Sequence, residues 1–278
     1  MKIAGFLKIW RRDLGMGSPL ERRRSILRIL RERRSIRKFI RSRMPEEVAR
    51  LIVEAAVRAP TYSYLQAYTI IWVRSEELRE RLAELCEGQD ELVRSSAAIF
   101  LICADLNRTR RMLDLLGHRH VLESAKHPVE SIFAIIDSGL LAAFMIIAAE
   151  ALGYGSTILD YPLVYPREFA RLFELPRGVT PLILLCVGER GEAPPLRPRL
   201  PLPLVFHEDG YREASDEELS EYLARLEEAL ERENYVRKYI GLDMRYLEYL
   251  RLKTGLDDSL KKAYDAVEKY LKENLMRF

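Results

Sequence analysis

Residues 129–152, VESIFAIIDSGLLAAFMIIAAEAL, read as one long helix that is apolar on nearly every side. Such a helix cannot rest on a water-facing surface, so protein must enclose it on most sides. Its longest stretch without a charge, residues 138–149, is 12 residues. That is short of the roughly 20 needed to cross a bilayer, which points to a core and not a membrane. A chain of 278 residues can build the enclosure as one large domain.

The flanking sequence supplies the layers. Residues 97–104, AAIFLICA, and 180–188, TPLILLCVG, are continuous apolar runs bounded by charge, the signature of buried central strands. Residues 68–73 and 156–159 are further strands, and 61–66 is a loop closed off by Pro60. Helices are predicted over 18–31, 45–58, 75–85 and 167–173. Pro-rich 193–203 is extended. The tail is helical: Ser215 and Glu218 form a capping box for a helix to about residue 233, and 235–252 and 257–275 follow. Strands interleaved with helices give an α/β or α+β core with a helical C-terminal extension.

Charge is balanced overall, 45 basic against 42 acidic residues, but not locally. Residues 11–43 carry twelve arginines and one lysine against three acids, whereas 208–233 carry eleven acids against three arginines. The basic block fits a nucleic-acid-binding arm or an amphipathic helix with Leu20, Ile26, Leu27 and Leu30 on one face. No aromatic residue interrupts the arginines between Trp10 and Phe39, so a stacking platform for single strands is missing. Three scattered cysteines and four histidines without ligand spacing exclude a disulfide framework and predict no metal site. The first residues lack the long apolar region and cleavage site of a signal peptide, which predicts a cytoplasmic protein. Only Gln66, Gln89, Asn107, Asn234 and Asn274 carry side-chain amides, a composition suited to a thermophile.

Dinucleotide, P-loop, metalloprotease and nucleophile-elbow templates all fail; Gly153-Tyr154-Gly155 lacks the third glycine and follows a helix. Four clusters stand out instead. Arg33, Arg34, Ser35 and Arg37 lie in RRSIRKF, where guanidinium forks and a hydroxyl suit phosphate oxygens. Ser63, Tyr64, Leu65 and Gln66 lie in the loop TYSYLQ. Gln89 closes EGQ, and Arg197 and Arg199 stand among the stiffening prolines of LRPRLP. With CADLNR at 103–108 and VFHEDGY at 205–211, this order and spacing resembles the flavin-dependent nitroreductase family. The nearer likeness is to its NADPH-dependent nitroreductase and flavin reductase branch, over about residues 25–215.

The resemblance implies an α+β fold, a mixed sheet flanked by helices, assembled as an intertwined homodimer with FMN at the subunit interfaces. It divides the chain into a basic helical segment (1–24), an FMN-binding domain (25–214) and a C-terminal extension (215–278). It implies that Arg33, Arg34, Ser35, Arg37, Arg197 and Arg199 hold the FMN phosphate and pyrimidine edge. Ser63, Tyr64, Leu65 and Gln66 would line the flavin from across the dimer, and Gln89 would bond the ring or ribityl chain. The implied reaction is ping-pong hydride transfer from NADPH or NADH through flavin N5 to nitroaromatics, quinones or flavins, with no catalytic triad. One departure stands out: Leu159, Asp160 and Tyr161 fall where relatives keep glycines near N5. That departure keeps open reductive dehalogenation, flavin processing or flavin binding without turnover.

Overall fold

The computed structural model describes residues 19–117, 119–123, 128–255 and 258–275. The first part of the basic block, up to residue 18, and His118 lie outside the described residues, as does the reading of residues 1–17 as signal-free.

Helix α1 (Pro19–Glu32) leads to β1 (Phe39–Ile40), α2 (Glu46–Ala56), β2 (Tyr68–Val73), α3 (Glu76–Leu85) and α4 (Asp90–Ser95). Then come β3 (Ala98–Asp105), α5 (Leu106–Asp114), the long α6 (Val129–Ala151), β4 (Gly155–Leu159), α7 (Tyr161–Val164), α8 (Pro166–Leu172) and β5 (Val179–Arg190). The tail comprises α9 (Asp216–Arg232), α10 (Tyr235–Tyr239), α11 (Tyr246–Thr254) and α12 (Asp258–Asn274).

Strand β5 is the hub of the sheet. It pairs with β3 along one edge, with β4 and β1 along the other, and β2 lies beyond β3. All these pairs are antiparallel. The parallel component of the expected mixed sheet is, among the described residues, the isolated bridge Ser35–Ser156.

Both sheet faces are covered, which is why β3 is apolar from Ala98 to Ala104 and β5 from Pro181 to Val187. Alternation with period two sends Phe100 and Ile102 to one face, where they pack with Val48 and Ile52 of α2 and Leu141 and Met145 of α6. It sends Ile99, Leu101 and Cys103 to the other, against Leu82 of α3 and Phe169 of α8. Helix α6 is long and apolar enough to cross a membrane. It includes Asp137 and Glu150, both buried, which the count of uncharged residues stopped short of. One face of the helix is in the core. On the opposite face Val129, Ile132, Ile135, Ile136 and Phe144 are exposed.

Two expectations change in detail. The helix predicted over 235–252 is two helices: after α10 the N–H groups of Ile240 and Gly241 both return to the Val236 carbonyl, and Gly241 sits at φ +82°. A left-handed glycine in that position ends a helix. The CADLNR segment is a strand end running into α5, where Asp105 Oδ1 accepts the N–H of Arg108 at 2.9 Å as the cap.

The arginine motif is pressed onto the sheet by its apolar members. Ile36 and Phe39 are buried among the residues of the second face, and Ile36 N–H donates to Ser156 O at 3.0 Å. The approach is possible because the sheet presents glycine beneath each anchor. A methyl group on Gly155 would lie 2.6 Å from Ile36 Cγ1, and one on Gly188 would lie 2.8 Å from Phe39 Cγ. Gly155→Ala is therefore expected to lower stability by about 1–3 kcal/mol, the usual cost of overpacking. Thermal or denaturant unfolding measures this, and an unchanged midpoint would contradict the close approach.

Candidate functional site

Pinning Ile36 and Phe39 inward leaves the arginines between and before them facing out. They meet the extended 193–203 segment, whose prolines hold Arg197 and Arg199 opposite. The result is a cavity of 540 Å³ lined by Arg31, Arg33, Arg34, Arg37, Arg197 and Arg199, with Ser35 and no acidic side chain. Two motifs about 160 residues apart in sequence thus form one concave cationic surface. Arg34 Nη1 donates to Pro194 O at 2.7 Å, tying the two walls together.

Cations crowded in this way repel one another. Burial lowers the Arg33 pKa; Glu150 pulls it back up, while Arg199 and Arg37 push it further down. Arg37 Nη1 is buried with no hydrogen-bond partner among the described residues. A buried guanidinium nitrogen without an acceptor, in a cavity of like charges, fits a bound anion with several oxygens.

Carboxylates stand behind the arginines instead of among them. Glu233 takes Arg197 Nε and Nη2 at 2.8 Å each, and the pair outweighs burial to hold Arg197 above its ordinary pKa. Glu192 accepts from the backbone N–H of Arg37 at 2.7 Å, from Tyr239 Oη at 2.7 Å and from Lys238 Nζ at 2.9 Å. Burial raises the Glu150 pKa, against the opposing pull of Arg190, Arg33 and Arg34. Helix α10 closes this outer shell: the Arg197 guanidinium stands 4.5 Å from the Tyr235 ring centroid, and that of Arg37 stands 5.3 Å from Tyr239.

The other predicted residues fall elsewhere. Gln89 lines an adjoining cavity of 350 Å³ that shares Arg37 as a wall, and its Nε2 donates to Tyr239 O at 2.9 Å. The loop is separate. Leu65 and Gln66 line a cavity of 380 Å³ with Tyr68, Thr69 and Arg108, and Ser63 and Tyr64 stand beside them in the loop. Tyr64 is 90% exposed, and none of Ser63, Tyr64, Leu65 and Gln66 lines the arginine cavity. Leu159 is buried in the core with Ile36 and Cys86. Asp160 is exposed, its backbone carbonyl starts α7, and its carboxylate faces Lys253 Nζ at 3.8 Å. Neither lines the arginine cavity.

Sequence reasoning passed over Glu150, Glu192, Glu233, Tyr235 and Tyr239. Glu150 had a readable signal, a charge near the end of an apolar helix. The others sit in acidic or mixed stretches where nothing local sets them apart.

Comparison with known proteins identifies the family. The description "Nitroreductase family" matches residues 30–189, and the chain belongs to that family. It is 32% identical over 191 residues to the "CR(VI) reductase" of Pseudomonas sp. (strain G-1), covering 69% of this chain and 77% of that one. It is 30% identical over 220 residues to the "FMN reductase [NAD(P)H]" of Bacillus subtilis (strain 168), covering 76% and 87%. Among solved structures, NfrA1 of B. megaterium superposes with a TM-score of 0.73 at 28% identity, covering 87% of this chain and 98% of that one.

Glu192 gives the outer shell a pH dependence. Burial alone would raise its pKa, but Tyr239, the Arg37 amide and Lys238 together hold it below the ordinary 4.5. A lowered carboxylate contributes stability that is complete above pH 4.5 and is lost as pH falls through the lowered value. The melting temperature of the native chain is therefore expected to fall more steeply below that pH than that of Glu192→Gln. Parallel profiles would remove Glu192 from this role.

Proposed function

We propose that this member of the nitroreductase family is an FMN-dependent NAD(P)H oxidoreductase that passes electrons to nitroaromatics, quinones or flavins. The observation that carries the reading is the cavity of six converging arginines, with the buried, unpartnered Nη1 of Arg37. In it Arg33, Arg34, Arg37 and Arg199 would hold the phosphate and Ser35 would add a hydroxyl. Arg197, already paired with Glu233, would fix the wall more than neutralise the ligand. FMN, when bound, supplies the two-electron chemistry between nicotinamide and acceptor. The chain's part is position and field: fixed positive charge favours the electron-rich form of a bound group, and no side-chain acid or base is assigned.

The second half of the site would come from a second copy. The exposed face of α6 carries Ile132, Ile135 and Ile136, with Gly139 on open space, a stripe suited to close packing against its own mate. A homodimer formed there would bring the loop Ser63–Gln66 of one protomer to the arginines of the other. The free, buried thiols Cys86, Cys103 and Cys186 support a reducing, cytoplasmic setting. Scarce amides and shared ion pairs, Glu46 with Arg50 and Arg74, and Arg94 with Glu80 and Asp90, support heat adaptation.

The alternatives lose ground. Altered chemistry rests on bulky residues beside the ring, and Leu159 lies in the core while Asp160 turns to Lys253. Nucleic-acid binding rests on an arginine face, and Arg31, Arg33, Arg34 and Arg37 line a concavity instead.

The purified protein is expected to be yellow, to release FMN on denaturation, and to bleach anaerobically with NADPH or NADH. A colourless chain that FMN cannot reconstitute overturns the reading. Arg37→Ala is expected to weaken FMN retention by about 1–3 kcal/mol, the loss of a charge-assisted hydrogen bond, as read by equilibrium dialysis. Ile136→Glu places a charge in the α6 stripe and is expected to shift sedimentation from dimer to monomer. A native chain that sediments as a monomer contradicts the shared site.

A further inference from the structure

The loop before β2 adopts a backbone that its own residues do not favour. Ser63, Tyr64 and Gln66 all lie at positive φ, 48°, 57° and 50°, and none is glycine. Non-glycine residues in this region cost free energy, so three within four positions persist only if something outside the loop imposes them.

Three side chains do so. Asp137 of α6 is buried, and its carboxylate spans the loop: Oδ1 accepts the N–H of Tyr62 at 3.0 Å and Oδ2 accepts the N–H of Ala67 at 3.4 Å. Those amides are the two ends of the left-handed run. One turn earlier on α6, Phe133 stacks on the Tyr62 ring at 3.7 Å and 5°. From the other side, Arg108 Nη2 donates to the carbonyls of Gln66, at 2.8 Å, and Tyr68. Arg108 is itself oriented by Asp105, at 3.3 Å, and by Thr69 Oγ1, at 3.1 Å. A carboxylate thus takes the loop's donors, and a guanidinium takes its acceptors.

We propose that Asp137 and Arg108 are positioning residues that clamp the loop 62–67 in its left-handed form, and so set how Tyr64 and Gln66 are presented to the flavin and to the acceptor over it. This rests on the FMN reading above. The clamp accounts for a charge inside an apolar helix and for the arginine of CADLNR, neither of which the arginine cavity uses.

The test compares the FMN-loaded full chain with Asp137→Asn and with Arg108→Met, the latter at a half-exposed position. Four readouts are taken: amide hydrogen exchange, FMN retention, the visible circular dichroism of the flavin, and KM with kcat for a nitroaromatic acceptor. In Asp137→Asn, exchange at Tyr62 and Ala67 is expected to rise about tenfold or more, the scale of one hydrogen bond to a charged group. In Arg108→Met the rise is expected to centre on Tyr68 and its neighbours. In both, sheet amides should keep their protection, FMN retention should stay within about twofold, and KM should rise while kcat changes less. Unchanged loop exchange in both variants overturns the clamp. So does a rise spread evenly over the sheet in both, which is the mark of a merely structural role. Faster loop exchange with unchanged KM and flavin visible circular dichroism overturns the presentation to the flavin. Should the native chain take up no FMN, the functional reading falls, while the exchange data still decide whether the clamp exists.

Discussion

Six guanidinium groups can face a common cavity only if something other than their own interactions forces them together. Here the force is apolar. Ile36 and Phe39 are driven into the core beneath the sheet, and the glycines at 155 and 188 let the backbone come close enough to bury them. Burying two such side chains is worth roughly 3–6 kcal/mol in all, which offsets the mutual repulsion of cations held near one another. The cationic cavity is thus a by-product of hydrophobic packing, with charges carried on a segment whose position is decided elsewhere. The outer carboxylates then complete the arrangement without lining the cavity: Glu233 pairs with Arg197, Glu150 acts on Arg33, and Glu192 holds the Arg37 backbone N–H together with Tyr239 and Lys238.

Much of this was legible in the sequence because the signals were local or periodic. The continuous apolar runs of β3 and β5 follow from a sheet buried on both faces, and the capping box at Ser215 and Glu218 marks its own helix. The arginine motifs could be paired because their order and spacing resemble those of a family. What could not be read was geometry made by distant, chemically ordinary residues. Nothing in the neighbourhood of Glu192 or Glu233 announces a counter-ion, since each becomes one only when the chain returns to the cavity. The break at Gly241 was missed for the opposite reason: helical spacing on both sides hid a single left-handed residue.

The two retained glutamines illustrate both outcomes. Gln89 lies beside the arginine cavity and shares a wall with it, but spends its amide on the backbone of Tyr239 and so ties α10 into place. Gln66 stands at φ 50° in a different cavity, held by Arg108 through its carbonyl. The same scarce residue type stands in two different cavities, and the work each residue does there is set by its surroundings.

Helix α6 serves three neighbours at once. Leu141 and Met145 fix it to the sheet, Phe133 and Asp137 grip the loop, and Ile132, Ile135 and Ile136 stand free on the far side. The loop grip and the free stripe occupy the same two turns, so the second copy proposed above, settling on the stripe, would restrain the very residues that hold the loop. Under thermodynamic linkage, whatever tightens the loop must also tighten that partnership, by the same factor. Diluting such a protein would then do more than separate subunits. It would soften the site, making the chain's own concentration one of the variables that govern its chemistry.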